Sequence, residues 1–402
     1  MMRDSNDVLP ENIIIIKDEY YYCTDNLIYK GDKCQIYGGR EKTSNMIDSN
    51  NSYSPSLSIC VKKEPPFLQY PKLIKESSNL KKLQKFLEKD ENGNIPCPFI
   101  PKMYNYYPSS DTPSFLVEEL LGNSVDSIFK MCNRKFSIMS SLIIVKQILK
   151  IIQNLHEKGI IHRNLNPIKF LFGKEETTDI IMDKFIKKEI HIDPSSQLYL
   201  VDYSEAKFFT KDFEKKEEDN TDNKIPIDNL GSNKFENTNN INETKLNNNT
   251  LEKESLLYNS DNHIDFDDKV KDFSFTNKYF CSIWAELKME QSRRDDLYSI
   301  FYILIYLLVG KLPWIGIKGK NKEDRREKIR NLKLCLSNFE LCKNVDKVIS
   351  NEVGLFIFYL NSLSFEDEPN YIYLNKLIEE MEKKVADTKN IEYTSPIITI
   401  RN

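Results

Sequence analysis

Among the eight cysteines of this 402-residue chain there is no C-x-x-C pair, which removes a zinc ribbon from consideration. In a chain this long the same scatter argues against a disulfide framework, so a reduced, intracellular compartment (cytoplasmic or nuclear) is expected. The four histidines lie far apart and suggest no histidine-based metal site. Long hydrophobic runs are also missing. The longest uncharged apolar stretch, Leu297 to Val309, falls about a third short of the ~18–20 residues that span a bilayer. It reads as a buried helix, and no membrane span is expected. Ile13–Ile16 is followed directly by Lys17, too short a run for a secretory core. Positive charge is not in surplus: 57 Lys and Arg face 61 Asp and Glu, a net charge of −4. No nucleic-acid surface is indicated.

What is present is enough apolar sequence for a substantial core, 40 % of residues, so wholesale disorder is excluded. Tyr20 to Tyr37 alternates aromatic and polar residues around Gly31, the pattern of a β-hairpin. Residues 41–56, rich in Asn and Ser, read as a loop. Leu57–Lys63 and Phe115–Leu121 read as strands, and Tyr70–Lys89 has helical spacing. Beyond Gly122 the period changes. Ile144, Ile148, Ile151, Ile152 and Leu155 share one helix face, and Leu198–Val201 is a strand running into Asp202. Residues 211–270 hold 15 acidic against 8 basic residues and 13 Asn. Such composition buries too little apolar surface to offset its ordering entropy, so a disordered insertion is expected over 209–270, and a smaller insertion around 174–195. Helices resume after Tyr279 and run to about Val385.

Several stretches carry a more specific signal. Residues 160–173 read I-I-H-R-N-L-N-P-I-K-F-L-F-G, and Glu290–Trp314 opens E-Q-S-R-R-D-D-L and closes G-K-L-P-W. Further fragments are E-L-L-G at 119–122, R-K-F-S at 134–137, Ser282–Ile283, and F-E-D-E-P-N-Y-I-Y-L at 365–374. Strands first, helices second and a catalytic-type loop between them is the order of a protein kinase. The motifs resemble the casein kinase I family over roughly residues 20–384, less the insertions. The resemblance implies an α+β, two-lobed protein kinase-like fold, with a small sheet plus one main helix followed by a larger, mostly helical lobe. The expected division is a leader over 1–19, an N-lobe over 20–121, a C-lobe over 122–384 and a tail over 385–402.

The same resemblance assigns roles by position. Kinases carry H-R-D-x-x-x-x-N, whose Asp accepts the substrate hydroxyl proton and whose Asn holds magnesium. Here the frame keeps His162 and Arg163, but Asn164 stands at the catalytic Asp, Asn166 at the loop Lys and Lys169 at the metal-binding Asn. An amide takes up no proton in the working pH range. Of the G-x-G-x-x-G positions, Tyr29, Gly31 and Cys34, only Gly31 is glycine; an ordinary hairpin turn is the alternative. Lys62, in I-C-V-K, falls where a lysine reaches the α/β-phosphates, and Glu76 where a helix Glu pairs with it; solvated surface charges are the other reading. Glu118 takes the gatekeeper position, from which it can compete with nucleotide for Lys62, unless a one-residue register slip turns it to solvent. Glu119 and Leu121 follow in the nucleotide-contacting stretch. Asp202 keeps the metal-binding Asp, ahead of Tyr203 and Ser204 in place of Phe and Gly. A Lys169–Asp202 salt bridge is expected to stand in for a magnesium ion, with a solvated Lys169 as the alternative. Asp296 is expected to brace the loop backbone. An anion pocket of that family maps to Tyr279, Gly316 and Arg325, with its first basic residue lost.

Two functions follow. One is a pseudokinase, a regulator or scaffold binding a protein partner, with weak ATP binding and no magnesium requirement. The other is a divergent but active serine/threonine kinase acting on protein substrates with ATP. Nucleotide held purely as a structural ligand lies between them.

Overall fold

The computed structural model describes residues 13–16, 19–31, 33–41, 59–68, 71–174, 189–191, 196–209, 277–389 and 397–399. The insertions expected at 174–195 and 209–270 lie outside these residues except at their ends and at Glu189–His191, as does most of the leader.

The first half of the described chain builds a sheet. Strands β1 (Ile13–Ile16), β2 (Glu19–Lys30), β3 (Gln35–Glu41), β4 (Ile59–Glu64), β5 (Met103–Tyr107) and β6 (Ser114–Glu119) pair antiparallel in the order β1-β2-β3-β4-β6-β5. Helix α1 (Leu73–Leu83) joins β4 to β5 and tightens into a 3-10 turn at Gln84–Leu87. Successive strand residues face opposite ways. Ile59, Val61, Val117 and Tyr107 therefore form a small core on one side. Cys60, Lys62, Leu116 and Glu118 share the other, since Cys60 pairs with Glu118 and Lys62 with Leu116.

Two sequence expectations need correction here. The helix expected over Tyr70–Lys89 begins at Leu73 and ends at Leu83. Pro71 disfavours helical geometry at the residue before it, and the last turn is 3-10 rather than α. The second correction is β5, which has no place in the sequence reading. Its aromatic run M-Y-N-Y-Y is strand-like, but it is only five residues long.

Helix α1 is anchored by Glu64 at the end of β4. Its Oε1 accepts from the Lys72 amide at 2.8 Å and its Oε2 from the Leu73 amide at 3.3 Å. These amides have no partner within the helix, and a carboxylate there also suits the helix dipole. The contact fixes the pitch of α1 against β4 and so aims Glu76 at Lys62.

The second half is mainly helical: α2 (Val125–Met131), α3 (Ile138–Glu157), α4 (Ile283–Glu286), α5 (Arg293–Val309), α6 (Lys322–Cys335), α7 (Asn338–Cys342), α8 (Ser350–Ser362) and α9 (Tyr371–Lys389). Among the described residues α3 is the helix long and apolar enough to cross a membrane, but most of it is buried, packed against α5 and α9. Every residue of α5 from Asp295 to Leu307 is buried, so it is apolar all round, as a central core helix is. The Asp295 carboxylate accepts from the Ser292 amide at 2.7 Å to start it, and Gly310, at φ +92°, ends it. Each fully buried Phe or Ile in this core stabilises the lobe by roughly 1.5–3 kcal/mol.

Short strand pairs shape the loops between the lobes. Strands β7 (Ile160–Ile161), β8 (Phe170–Phe172), β9 (Glu189–His191), β10 (Leu198–Leu200), β11 (Lys207–Phe208) and β12 (Ile397–Thr399) pair as β8 with β10, β7 with β11 and β9 with β12. The β8–β10 pair sets Phe170 opposite Leu200, and the Val201 amide donates to the Lys169 carbonyl at 3.0 Å. Lys169 and Asp202 are thereby brought side by side. The fold is a two-lobed, kinase-like α+β fold.

Candidate functional site

The loop after α3 is held from below by Asp296 on α5. One carboxylate oxygen accepts from the His162 amide at 2.7 Å, the other from the Arg163 amide at 2.8 Å. His156 Nε2 lies 3.1 Å from Asp296 Oδ2, and its Nδ1 meets the Tyr371 hydroxyl. Burial alone would raise the Asp296 carboxyl, but the histidine and amide contacts outweigh it and hold it below its ordinary value. Burial lowers His156 and His162, favouring their neutral forms. Arg163, in the left-handed region at φ +65°, donates from Nε to the Glu205 carbonyl at 2.6 Å and faces Glu290 at 3.5 Å.

Around this frame the charged groups of the cleft meet one another. Lys62 Nζ lies 2.6 Å from Glu76 Oε1 and 2.7 Å from Glu118 Oε2, and all three side chains are buried. Glu118 thus faces inward rather than to solvent. Burial by itself would lower the Lys62 ammonium, but the two carboxylates hold it well above its usual value. For Glu76 burial wins: with Glu118 adding to the push, it is raised to about 7 against the pull of Lys62. Glu118 Oε1 is buried and has no hydrogen-bond partner among the described residues.

Asp202 sits in the left-handed region, at φ +66°. Oδ2 is ion-paired with Lys169 Nζ, and Oδ1 accepts from the Ser204 hydroxyl at 2.6 Å. Burial pushes Asp202 up, but Lys169 and Ser204 together hold it far below the ordinary carboxylate range. Ser204 is the partner that sequence reasoning missed. The signal was there, a hydroxyl two residues after the Asp where a glycine is usual, but no side-chain role was given to it.

The remaining candidates are placed as follows. Asn164 is buried, 3 % exposed. Asn166 turns back on the loop: its Oδ1 accepts from the Ile168 amide at 3.0 Å and its Nδ2 reaches the Asn164 carbonyl at 3.5 Å. Gly31 donates its amide to the Cys34 carbonyl at 2.9 Å. A Cβ at Gly31 would lie 2.8 Å from the Tyr29 ring, so that ring, at the first glycine position, covers the turn. Glu119 points away from the cleft, accepting from the Lys102 amide at 3.2 Å, and Leu121 is half-buried. Cys34 is half-buried beside this cluster, and burial raises its thiol to about 11. Helix α1 is tied to the segment after Asp202. Asn79 Nδ2 donates to the carbonyls of Tyr203 at 2.8 Å and Ala206 at 3.1 Å, and Lys72 pairs with Glu205 at 3.1 Å. Further off, the Arg325 guanidinium meets the Tyr279 hydroxyl.

Whether this set fits the groups a kinase uses follows from its donors. Magnesium wants several oxygen ligands in near-octahedral array. Both oxygens of Asp202 are engaged, an ammonium stands beside it, and among the described residues no three His, Cys, Asp or Glu side chains are grouped to hold a metal. The arrangement does not fit a divalent cation at Asp202. A phosphate fits at Lys62 only by exchange, because the ammonium already meets two carboxylates.

No family model matches the chain. It is 28 % identical over 335 residues to "Casein kinase I homolog 2" of Schizosaccharomyces pombe, an alignment covering 83 % of this chain and 59 % of that one. It is 29 % identical over 266 residues to a "Probable casein kinase I homolog" of Encephalitozoon cuniculi, covering 66 % and 64 % respectively. The chain spans about three fifths of the length of these curated relatives. The chain is thus similar in sequence to casein kinase I homologues over most of its length and shares a two-lobed, kinase-like layout.

Proposed function

We propose that the chain is a pseudokinase of casein kinase I type, a regulator or scaffold for a protein partner with weak or no phosphoryl transfer. The observation that carries this reading is the state of Asp202, whose two oxygens are satisfied by Lys169 and Ser204. With Asn164 at the base position and Asn166 turned into its own loop, no described side chain at these loop positions is suited to take a proton or hold a metal ion. Loss of a general base alone lowers rate by ~10²–10⁴. Because phosphoryl transfer proceeds through a loose transition state, that loss is not fatal by itself; the lost metal site compounds it. On this reading ATP binds weakly and without regard to magnesium, with Lys62 and Lys169 supplying positive charge. On this reading the described residues within 20–121 belong to the small lobe and those within 122–384, less the insertions about 174–195 and 209–270, to the large one.

The test is nucleotide affinity by thermal shift, with magnesium and with chelator, for the unmodified protein and Lys169→Asn. The unmodified protein should respond alike in both conditions, and Lys169→Asn should gain a magnesium requirement. Asn164→Asp alone should not restore transfer. Turnover of the unmodified protein in the ordinary kinase range of ~1–100 s⁻¹ would sink the reading. A second reading, a divergent active serine/threonine kinase, draws on the close Lys62–Glu76 pair and the braced loop, which a fold freed from nucleotide has no evident need to keep.

A further inference from the structure

Lys62 meets two buried carboxylates at once, Glu76 at 2.6 Å and Glu118 at 2.7 Å. One ammonium neutralises one of them. Two like charges sharing a desolvated site favour a state in which the pair holds a proton. A second observation points the same way. Glu118 Oε1 is buried without a partner among the described residues, and an ionised oxygen so placed is costly, whereas a protonated one is much less so. The Tyr203 hydroxyl is also buried and without a partner among the described residues.

The other titratable groups facing this cluster are accounted for. Glu64 holds the amides of Lys72 and Leu73, and Asp202 and Lys169 hold each other. Burial pushes the Cys34 and Cys60 thiols up to about 11 and about 12, and the Tyr203 hydroxyl well above its usual value, so these three are neutral near pH 7. Among the described residues of this cluster, that leaves Glu76, raised to about 7 by burial with Glu118 beside it, to take up a proton there.

We propose that the buried carboxylate pair of Glu76 and Glu118 carries one proton near neutral pH, and that a phosphate-bearing anion reaches Lys62 only by displacing Glu118 while that proton stays on the pair. The site is thus a proton-coupled anion site. The binding half of this rests on the reading that the cleft admits a nucleotide; the sharing half does not. Linkage fixes the form of the coupling. Below about pH 7 the pair already carries its proton, so binding takes up almost none. Above it the pair is bare, binding takes up close to one, and affinity falls by roughly tenfold per pH unit.

The experiment is calorimetric titration with ATP in chelator, at pH 6 and pH 8, each in two buffers of different ionisation heat. It compares the unmodified protein with Glu118→Gln, which keeps the shape, and with Glu118→Leu in case the amide fails to fold. Titration of the ligand's own phosphate is common to all three and drops out of the difference. The unmodified protein should take up close to one extra proton at pH 8 and bind about tenfold more weakly there than at pH 6, relative to either variant. Equal uptake and equal pH dependence in unmodified protein and variants would overturn the coupling. If ATP binds none of them, the nucleotide reading fails and the free protein decides the sharing. With glutamate carboxyls isotopically labelled, one should titrate near pH 7 in the unmodified protein and none in Glu118→Gln. No glutamate titrating above about pH 5.5 in the unmodified protein would overturn the sharing.

Discussion

Asp296 on α5 and Asp202 after β10 are two aspartates beside the same loop, held by very different company. Asp296 serves the backbone: its acceptors take the amides of His162 and Arg163, with His156 behind them. Asp202 serves side chains, Lys169 and Ser204, which stand at positions where a kinase would place a metal ligand and a glycine. The first arrangement holds the backbone frame of the loop. The second has charged side chains neutralising one another, as Lys62, Glu76 and Glu118 also do. Backbone bracing of the loop and charge pairing in the cleft thus draw on separate residues, so one can change without the other.

That contrast can be broken or sharpened by mutation. The largest effect should come from Lys62→Met, which leaves two buried carboxylates without a cation and costs about 3–5 kcal/mol. Protonation relieves the loss, so urea unfolding should show more damage at pH 8 than at pH 6; equal damage at both would mean that the carboxylates escape to solvent. Next comes the pH dependence of the unmodified protein. Glu76 is raised from 4.5 to about 7 in the folded state, so the folded chain holds more protons than the unfolded one across that window. Stability should fall as pH rises through it, by on the order of 3 kcal/mol. Asp295, raised to about 6 by burial, adds a slope of the same sign, so the contribution of Glu76 is read as the part that Glu118→Gln abolishes. Asp296→Asn should cost about 1–3 kcal/mol, since one loop amide loses its acceptor, and denaturation of this variant measures the frame alone. Smallest is Lys169→Asn. The pair is partly open, 23 % and 18 % exposed, and its loss should cost about 1 kcal/mol. A loss as large as that of Lys62→Met would show that the two charge clusters are not distinct in kind.

Much of the fold could be read from residue order. The apolar run of α5 opening on E-Q-S-R-R-D-D-L, the face of α3 and the hairpin around Gly31 all carry their periodicity openly. Boundaries were harder, as Tyr70–Lys89 shows, because a proline effect and a 3-10 ending depend on local geometry. In the cleft, motif spacing could name the positions that meet. It could not tell which oxygen of Asp202 each neighbour uses, because spacing does not carry the left-handed backbone at that residue. Nor could it settle which way Glu118 faces, since a one-residue slip in strand pairing reverses every side chain. The pairing of Cys60 with Glu118 decides it. Ser204 escaped notice for a related reason: a serine in a loop is common, and only proximity gives its hydroxyl a partner.

The bond from Asn79 to the Tyr203 carbonyl joins residues 124 positions apart. Closing so long a stretch of chain is entropically late work. The seam between α1 and the segment after Asp202 should therefore form after both lobes have condensed and should part before either lobe melts. It acts as a brake on leaving the folded state rather than a guide into it. A chevron of Asn79→Ala should show an unfolding limb that is faster throughout and a refolding limb that overlays the original; slowed refolding would place the seam in the folding nucleus.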